Sequence, residues 1–109
     1  MQTMIRHLGI PVQSRAKAIE FWEKMGLSVV NLSNEEWDGR KLSIAKMGDV
    51  HGGQIELIKG SWPYHVAIGM DEFPSGLEMI HFKRLEDKRL EVGFFRVPDS
   101  GIVEIVRVI

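Results

Sequence analysis

Along this chain apolar residues recur mostly at every second position, in short segments separated by glycine, proline and acidic residues, and only once every three or four. Met4–Val12 alternates with Met4, Leu8, Ile10 and Val12 on one face and Ile5, His7, Gly9 and Pro11 on the other, which predicts a first strand with a histidine among small neighbours. Ser14 then stands as a helix N-cap, and Ala18, Ile19, Phe21, Trp22 and Met25 form the apolar stripe of a helix stopped at Gly26. That helix is expected to cover the large-residue face of the first strand. Residues 27–32 read as a second strand, 33–36 as a polar turn, 37–47 as a third strand interrupted at Asp38 and Gly39, and 48–53 as a turn. Gln54–Lys59 is a fourth strand, with Gln54, Glu56 and Ile58 on one face and Ile55, Leu57 and Lys59 on the other.

After Gly60 the pattern restarts. Residues 62–70 place Tyr64, Val66, Ile68 and Met70 on a large apolar face and Pro63, His65, Ala67 and Gly69 on a small one. Residues 71–78 occupy the place of a second helix, but Pro74 and Gly76 restrict it to a turn or so. Residues 79–86 and 88–97 read as a hairpin around Asp87, and a turn at residues 98–101 leads into a closing strand. In that strand Glu104 shares its face with Ile102, Val106 and Val108.

The chain is thus expected to form a single α+β domain, residues 1–109, made of two βαβββ modules, residues 1–60 and 61–109, the second with a reduced helix. The strands are expected to curl as a mixed sheet into a partly open barrel. Each module opens on a histidine strand and ends on a strand carrying a glutamate, so His7, Glu56, His65 and Glu104 fall at equivalent places. A carboxylate on an apolar strand face is costly unless a proton, a partner or a metal neutralises it. Two imidazoles and two carboxylates suit a divalent ion such as Ni, Co, Mn, Fe or Zn, and an octahedron around it keeps two positions for substrate oxygens or water. Singly, a strand histidine is more often structural and either glutamate at least as often an edge carboxylate as a ligand; the repeated arrangement favours ligation.

Composition narrows the partners. A net charge of −1 over 109 residues carries no footprint for nucleic acid or an anionic membrane. The absence of cysteine rules out disulfides and thiolate ligands. Arg6 and His7 interrupt any apolar run near the start, and no run approaches membrane-spanning length, so a cytoplasmic protein with a small-molecule partner is expected.

The stretches HLGIPVQSRAKAIEFW from His7, QIELI around Glu56, HVAIGMD from His65 and FFRVPDSGIVEIV past Glu104 resemble, in order and register, those of the vicinal oxygen chelate superfamily, the group of glyoxalase I, bleomycin-resistance proteins and extradiol dioxygenases. The resemblance covers nearly the whole chain and implies His7, Glu56, His65 and Glu104 as metal ligands, with no organic cofactor. It implies a metal-dependent lyase or isomerase that chelates two neighbouring substrate oxygens and stabilises an enediolate, Glu104 or Glu56 removing the adjacent proton. Its alternatives are a ligand-sequestering protein of the bleomycin-resistance type and an extradiol-type dioxygenase. Pro11 stands where glutathione-using glyoxalases carry arginine, so glutathione-dependent chemistry is not expected. Family members commonly dimerise, and a homodimer is expected here. The 49 positions from His7 to Glu56 against 39 from His65 to Glu104 imply a different wall in the second module.

Among the other residues, His51 and His81 read as loop and hairpin side chains. Lys83, Arg84, Lys88 and Arg89 read as a solvated hairpin interleaved with Glu86 and Asp87. Trp22 reads as core, whereas Trp37 and Trp62, near turns, are candidates for a pocket or interface.

Overall fold

A computed structural model of the chain describes residues 3–98 and 101–109. The fold is α+β: β1 Met4–Val12, α1 Arg15–Lys24, β2 Ser28–Trp37, β3 Arg40–Gly48, β4 Gln54–Lys59, β5 His65–Gly69, β6 Met79–Leu85, a 3₁₀ turn Glu86–Lys88, β7 Leu90–Val97 and β8 Gly101–Val108. The chain divides into two compact units, one of them His7–Tyr64 and the other built on the segment from His65 onward together with the start of β1.

In the His7–Tyr64 unit the strands lie in the order β2-β3-β4-β1. The β1/β4 pair is parallel, while β2/β3 and β3/β4 are antiparallel. A parallel pair requires a crossover rather than a hairpin. The helix between β1 and β2 belongs to that crossover. Ser14 caps it, its hydroxyl accepting the Lys17 amide at 3.2 Å, and Gly26 ends it at φ 102°. Ala18, Ile19 and Trp22 turn inward with Ile10, Val12, Leu27 and Ile55 onto Ala45, Met47 and Leu57, all three fully buried. Phe21 and Met25 lie outside this stripe and are more than half exposed. The Arg15 guanidinium donates to the carbonyls of Ser33 and Ile44 at 3.4 and 3.3 Å, tying the first turn of α1 to β2 and β3.

Two boundaries differ from the sequence reading. Residues 33–36 are strand, not turn: β2 runs unbroken to Trp37, and Trp37 pairs with Arg40 across a two-residue hairpin. Asp38 and Gly39 both have positive φ, 51° and 74°, the conformation that makes Asp-Gly a tight hairpin turn. β5 starts at His65, three residues later than expected, because Pro63 cannot donate to a ladder. Trp37 and Trp62 are both buried, their rings 6.0 Å apart, with the Arg40 guanidinium over Trp62.

Gly60 turns the chain out of β4 at φ 136°, and a Cβ there would lie 2.7 Å from Leu42 Cδ2 and 2.8 Å from the Lys41 carbonyl oxygen. Gly60→Ala is expected to destabilise the protein by about 1–3 kcal/mol, measured as a lowered denaturant midpoint.

In the second unit the order is β5-β8-β7-β6, with β5/β8 parallel and β6/β7 and β7/β8 antiparallel. This is the topology of the first unit over again. Even the irregularity recurs, since the register shifts between Val29 and Asn31 on β2 and between Met79 and His81 on β6. The reduction of the second helix is complete: residues 71–78 form only bends. Phe73 packs there instead, its ring 5.7 Å from that of Phe95 and 6.1 Å from that of Phe82. Gly93 leaves room for the Phe95 ring, since a Cβ at that position would come within 2.9 Å of it, while the Phe73 ring would lie at an ordinary contact distance of 3.6 Å. Arg84 and Arg107 flank Glu91 at 3.7 and 3.2 Å, and Arg84 also reaches Glu86 at 3.0 Å. Of the turn before β8, Asp99 and Ser100 lie outside the described residues. Among the described residues no helix is long and apolar enough to cross a membrane.

Candidate metal centre

The parallel pair in each unit positions one histidine and one glutamate by the same register. On β1, Gly9 stands opposite Glu56 of β4, and His7 precedes Gly9 by two residues on the same face. His7 Nε2 is 3.4 Å from Glu56 Oε1. On β5, Ala67 stands opposite Glu104 of β8, and His65 precedes it by two residues. There His65 Nε2 and Glu104 Oε1 are 2.9 Å apart. The residue facing each glutamate is small and buried, so the carboxylate can lean along the strand toward the imidazole. His7, His65 and Glu104 are buried at 7, 2 and 9 % exposure, and Glu56 is half-buried. All four residues singled out from the sequence are therefore inward-facing, and each histidine meets the glutamate of its own module.

The surroundings of the two pairs differ. Phe94 is the cross-strand partner of Glu104, and its ring stands edge-on to His65 at 5.3 Å. His81, which pairs with Phe94 in turn, has its ring 6.5 Å from the same phenyl group and so belongs to this face rather than to the solvent side of the hairpin. At the position of the first unit equivalent to Phe94 stands Lys46, the cross-strand partner of Glu56, its Nζ 3.9 Å from Glu56 Oε2. The sequence reading did not single out Lys46. The available signal was a lysine between two apolar residues, Ala45 and Met47, inside a strand that buries five of its other eight residues.

Beyond Glu104, on the face it shares with Val106 and Val108, lies a cleft of about 480 Å³ lined also by Met4, Arg6, Gly69 and Asp71. This is a volume suited to a small molecule. His51 is elsewhere, in the loop after β3, where its amide and that of Gly53 donate to Asp49 at 2.7 and 2.9 Å. Those two amides, Gly53 first, hold the Asp49 carboxyl below its ordinary pKa.

The donor chemistry fits a divalent ion. Each unit presents an imidazole Nε2 and a carboxylate oxygen from rigid strands, shielded from solvent, and nitrogen and oxygen donors of this kind suit first-row ions. In each unit the histidine and the glutamate, His7 with Glu56 and His65 with Glu104, could offer donors to such an ion.

No protein-family model matches the chain, and no curated protein matches it in sequence. Its architecture is that of the vicinal oxygen chelate fold. Among solved structures it is similar to methylmalonyl-CoA epimerase from Mycobacterium tuberculosis, at 16% identity over 96% of this chain and 87% of the other, with a TM-score of 0.72. It is similar as well to a mutant of 4-hydroxymandelate synthase from Streptomyces coelicolor, at 13% identity over 96% of this chain and 48% of that one, with a TM-score of 0.72. A glyoxalase I mutant from Zea mays gives 16% identity, 95% and 42% coverage and a TM-score of 0.69.

Proposed function

We propose that the protein is a divalent-metal-dependent lyase or isomerase of the glyoxalase-like kind, acting on a small substrate with two vicinal oxygens. The observation that carries this reading is the repeated register of histidine, small residue and facing glutamate, which gives one His–Glu pair in each unit on the same topology. A structural role for one pair would not require a second at the same register in a module that has lost its helix. Similarity of fold to an epimerase and to glyoxalase I supports the same class.

In this reading His7, Glu56, His65 and Glu104 hold one ion of the Ni, Co, Mn, Fe or Zn group. The bound ion supplies Lewis-acid polarisation of the substrate's oxygens. The chain does the rest. The strands fix the imidazoles by burial, Phe94 packs against His65, and a glutamate, Glu104 or Glu56, takes the proton beside the chelated oxygens. The cleft beyond Glu104 gives the substrate's remainder a place to lie. We further propose a single functional domain that works as a cytoplasmic homodimer. The exposed Val30 and Leu32, on a strand with only β3 beside it in its unit, support association through that edge.

Elemental analysis and calorimetric titration test the centre. The wild type is expected to take up one divalent ion per chain and a His7→Ala, Glu104→Ala double variant none. Absence of uptake by the wild type overturns the reading and leaves ligand sequestration in a metal-free cleft.

A further inference from the structure

Lys46 sits on β3 directly across from Glu56, and the pairing of β3 with β4 puts both side chains on the face that carries His7. Its neighbours Ala45 and Met47 are fully buried on the opposite face, so the backbone that presents it is among the most fixed in the unit. The ammonium group lies 3.9 Å from Glu56 Oε2, close enough for Coulombic attraction but beyond hydrogen-bonding distance. The side chain is one-third exposed and Glu56 less so, which leaves the cation open to something arriving from solvent. The second unit has Phe94 at this position, packed on His65. The two modules therefore agree at the histidine, the small residue, the glutamate and the strand irregularity, and part company here, where one has an aromatic support and the other a positive charge.

Two roles for that charge can be separated. Lys46 could do no more than offset the charge of Glu56, in which case removing it would change the hold on a metal and would treat all substrates alike. Alternatively it recognises a charge on the substrate. The distance favours the second: a lysine serving Glu56 alone would close to a hydrogen bond of about 2.8 Å, as charge-assisted pairs do. Building on the metal-centre reading above, we propose that Lys46 is a specificity residue of the site, and that the substrate class is an anion carrying a further carboxylate or comparable charged group on one of the two carbons that bear the chelated oxygens.

The probes are lactate and tartronate, which share a hydroxyl and a carboxylate on one carbon and differ only in a methyl group against a second carboxylate. Their binding to Co²⁺-loaded protein is followed by the visible absorption of the ion and by calorimetry, and Co²⁺ affinity is measured separately for each variant. In the wild type tartronate is expected to be preferred over lactate. Lys46→Met is expected to cut that preference by about tenfold or more, the worth of a charge-assisted contact, with lactate binding little changed. Lys46→Arg is expected to retain most of it. Equal weakening of both ligands by Lys46→Met, or an unchanged ratio, overturns the proposal while leaving the metal centre standing. Failure of the wild type to take up Co²⁺ overturns both.

Discussion

Leu57→Ala is expected to destabilise the protein by about 2–5 kcal/mol, a large part of the roughly 5–15 kcal/mol that holds a domain of this size together. Leu57 is fully buried and stands opposite Ile10 on β1 and Ala45 on β3, so its side chain fills the centre of the layer between the β3/β4/β1 strands and α1. Ala45 cannot grow into the void, and Met47, the other large side chain buried to the same degree, sits two residues along β3 and is already in contact with the cluster. The measurement is a urea transition, in which the midpoint should fall with the slope preserved. A loss below about 1 kcal/mol would mean that the site collapses easily, contrary to the packing described. The consequence reaches function through one bond of chain. Glu56 precedes Leu57, and its aim toward His7 depends on β4 keeping its place beneath α1.

Legibility of this fold in the sequence followed the degree to which each strand is buried on one side only. β1 and β4 have one face against α1 and the other around a histidine or glutamate, and their alternation gives both boundaries as the structure has them. β2 has only β3 beside it in its unit and is mostly exposed, so nothing forces its residues to alternate. That is why residues 33–36 read as a turn and why the hairpin at Asp38 and Gly39 looked like an interruption of one strand. Trp37 and Trp62 read as pocket or interface residues because turns border them, whereas the fold brings their rings beside each other, a contact between positions 25 apart that no local pattern carries. The shared irregularity at Val30 and Ile80 and the covering of Gly93 by Phe73 belong to the same class of fact. The histidine and glutamate positions were legible for the opposite reason. Polar, ligand-type residues on otherwise apolar strand faces violate the local rule, and violations repeated in two modules stand out in the sequence. Lys46 was passed over because a single lysine in a strand has a bland alternative, and its meaning comes only from the residue facing it across the sheet.

A second large effect is expected in the response of stability to metal. At a free ion concentration one hundred times its dissociation constant, the wild type should gain about 2.7 kcal/mol, and for a domain near 100 residues that raises Tm by roughly 10 °C or more. Glu104→Gln keeps the volume and leaves an amide able to hydrogen-bond to His65, which lies 2.9 Å away in the native pair. Its metal-free stability should therefore stay within about 1.5 kcal/mol of the wild type. What it removes is the anionic ligand. A hundredfold loss of affinity at the same ion concentration would leave a stabilisation of only about 0.4 kcal/mol, scarcely a shift in Tm. The two scans, with and without ion, separate the meanings of the pair. If His65 and Glu104 are joined for structure alone, the wild type gains nothing from metal, and Glu104→Gln differs from it by the same amount in both scans. If they are ligands, the difference between wild type and variant is small without the ion and opens to several degrees with it. The buried position of Glu104 on an apolar strand favours the second outcome, because a carboxylate at 9 % exposure has to be neutralised and a divalent ion does so directly.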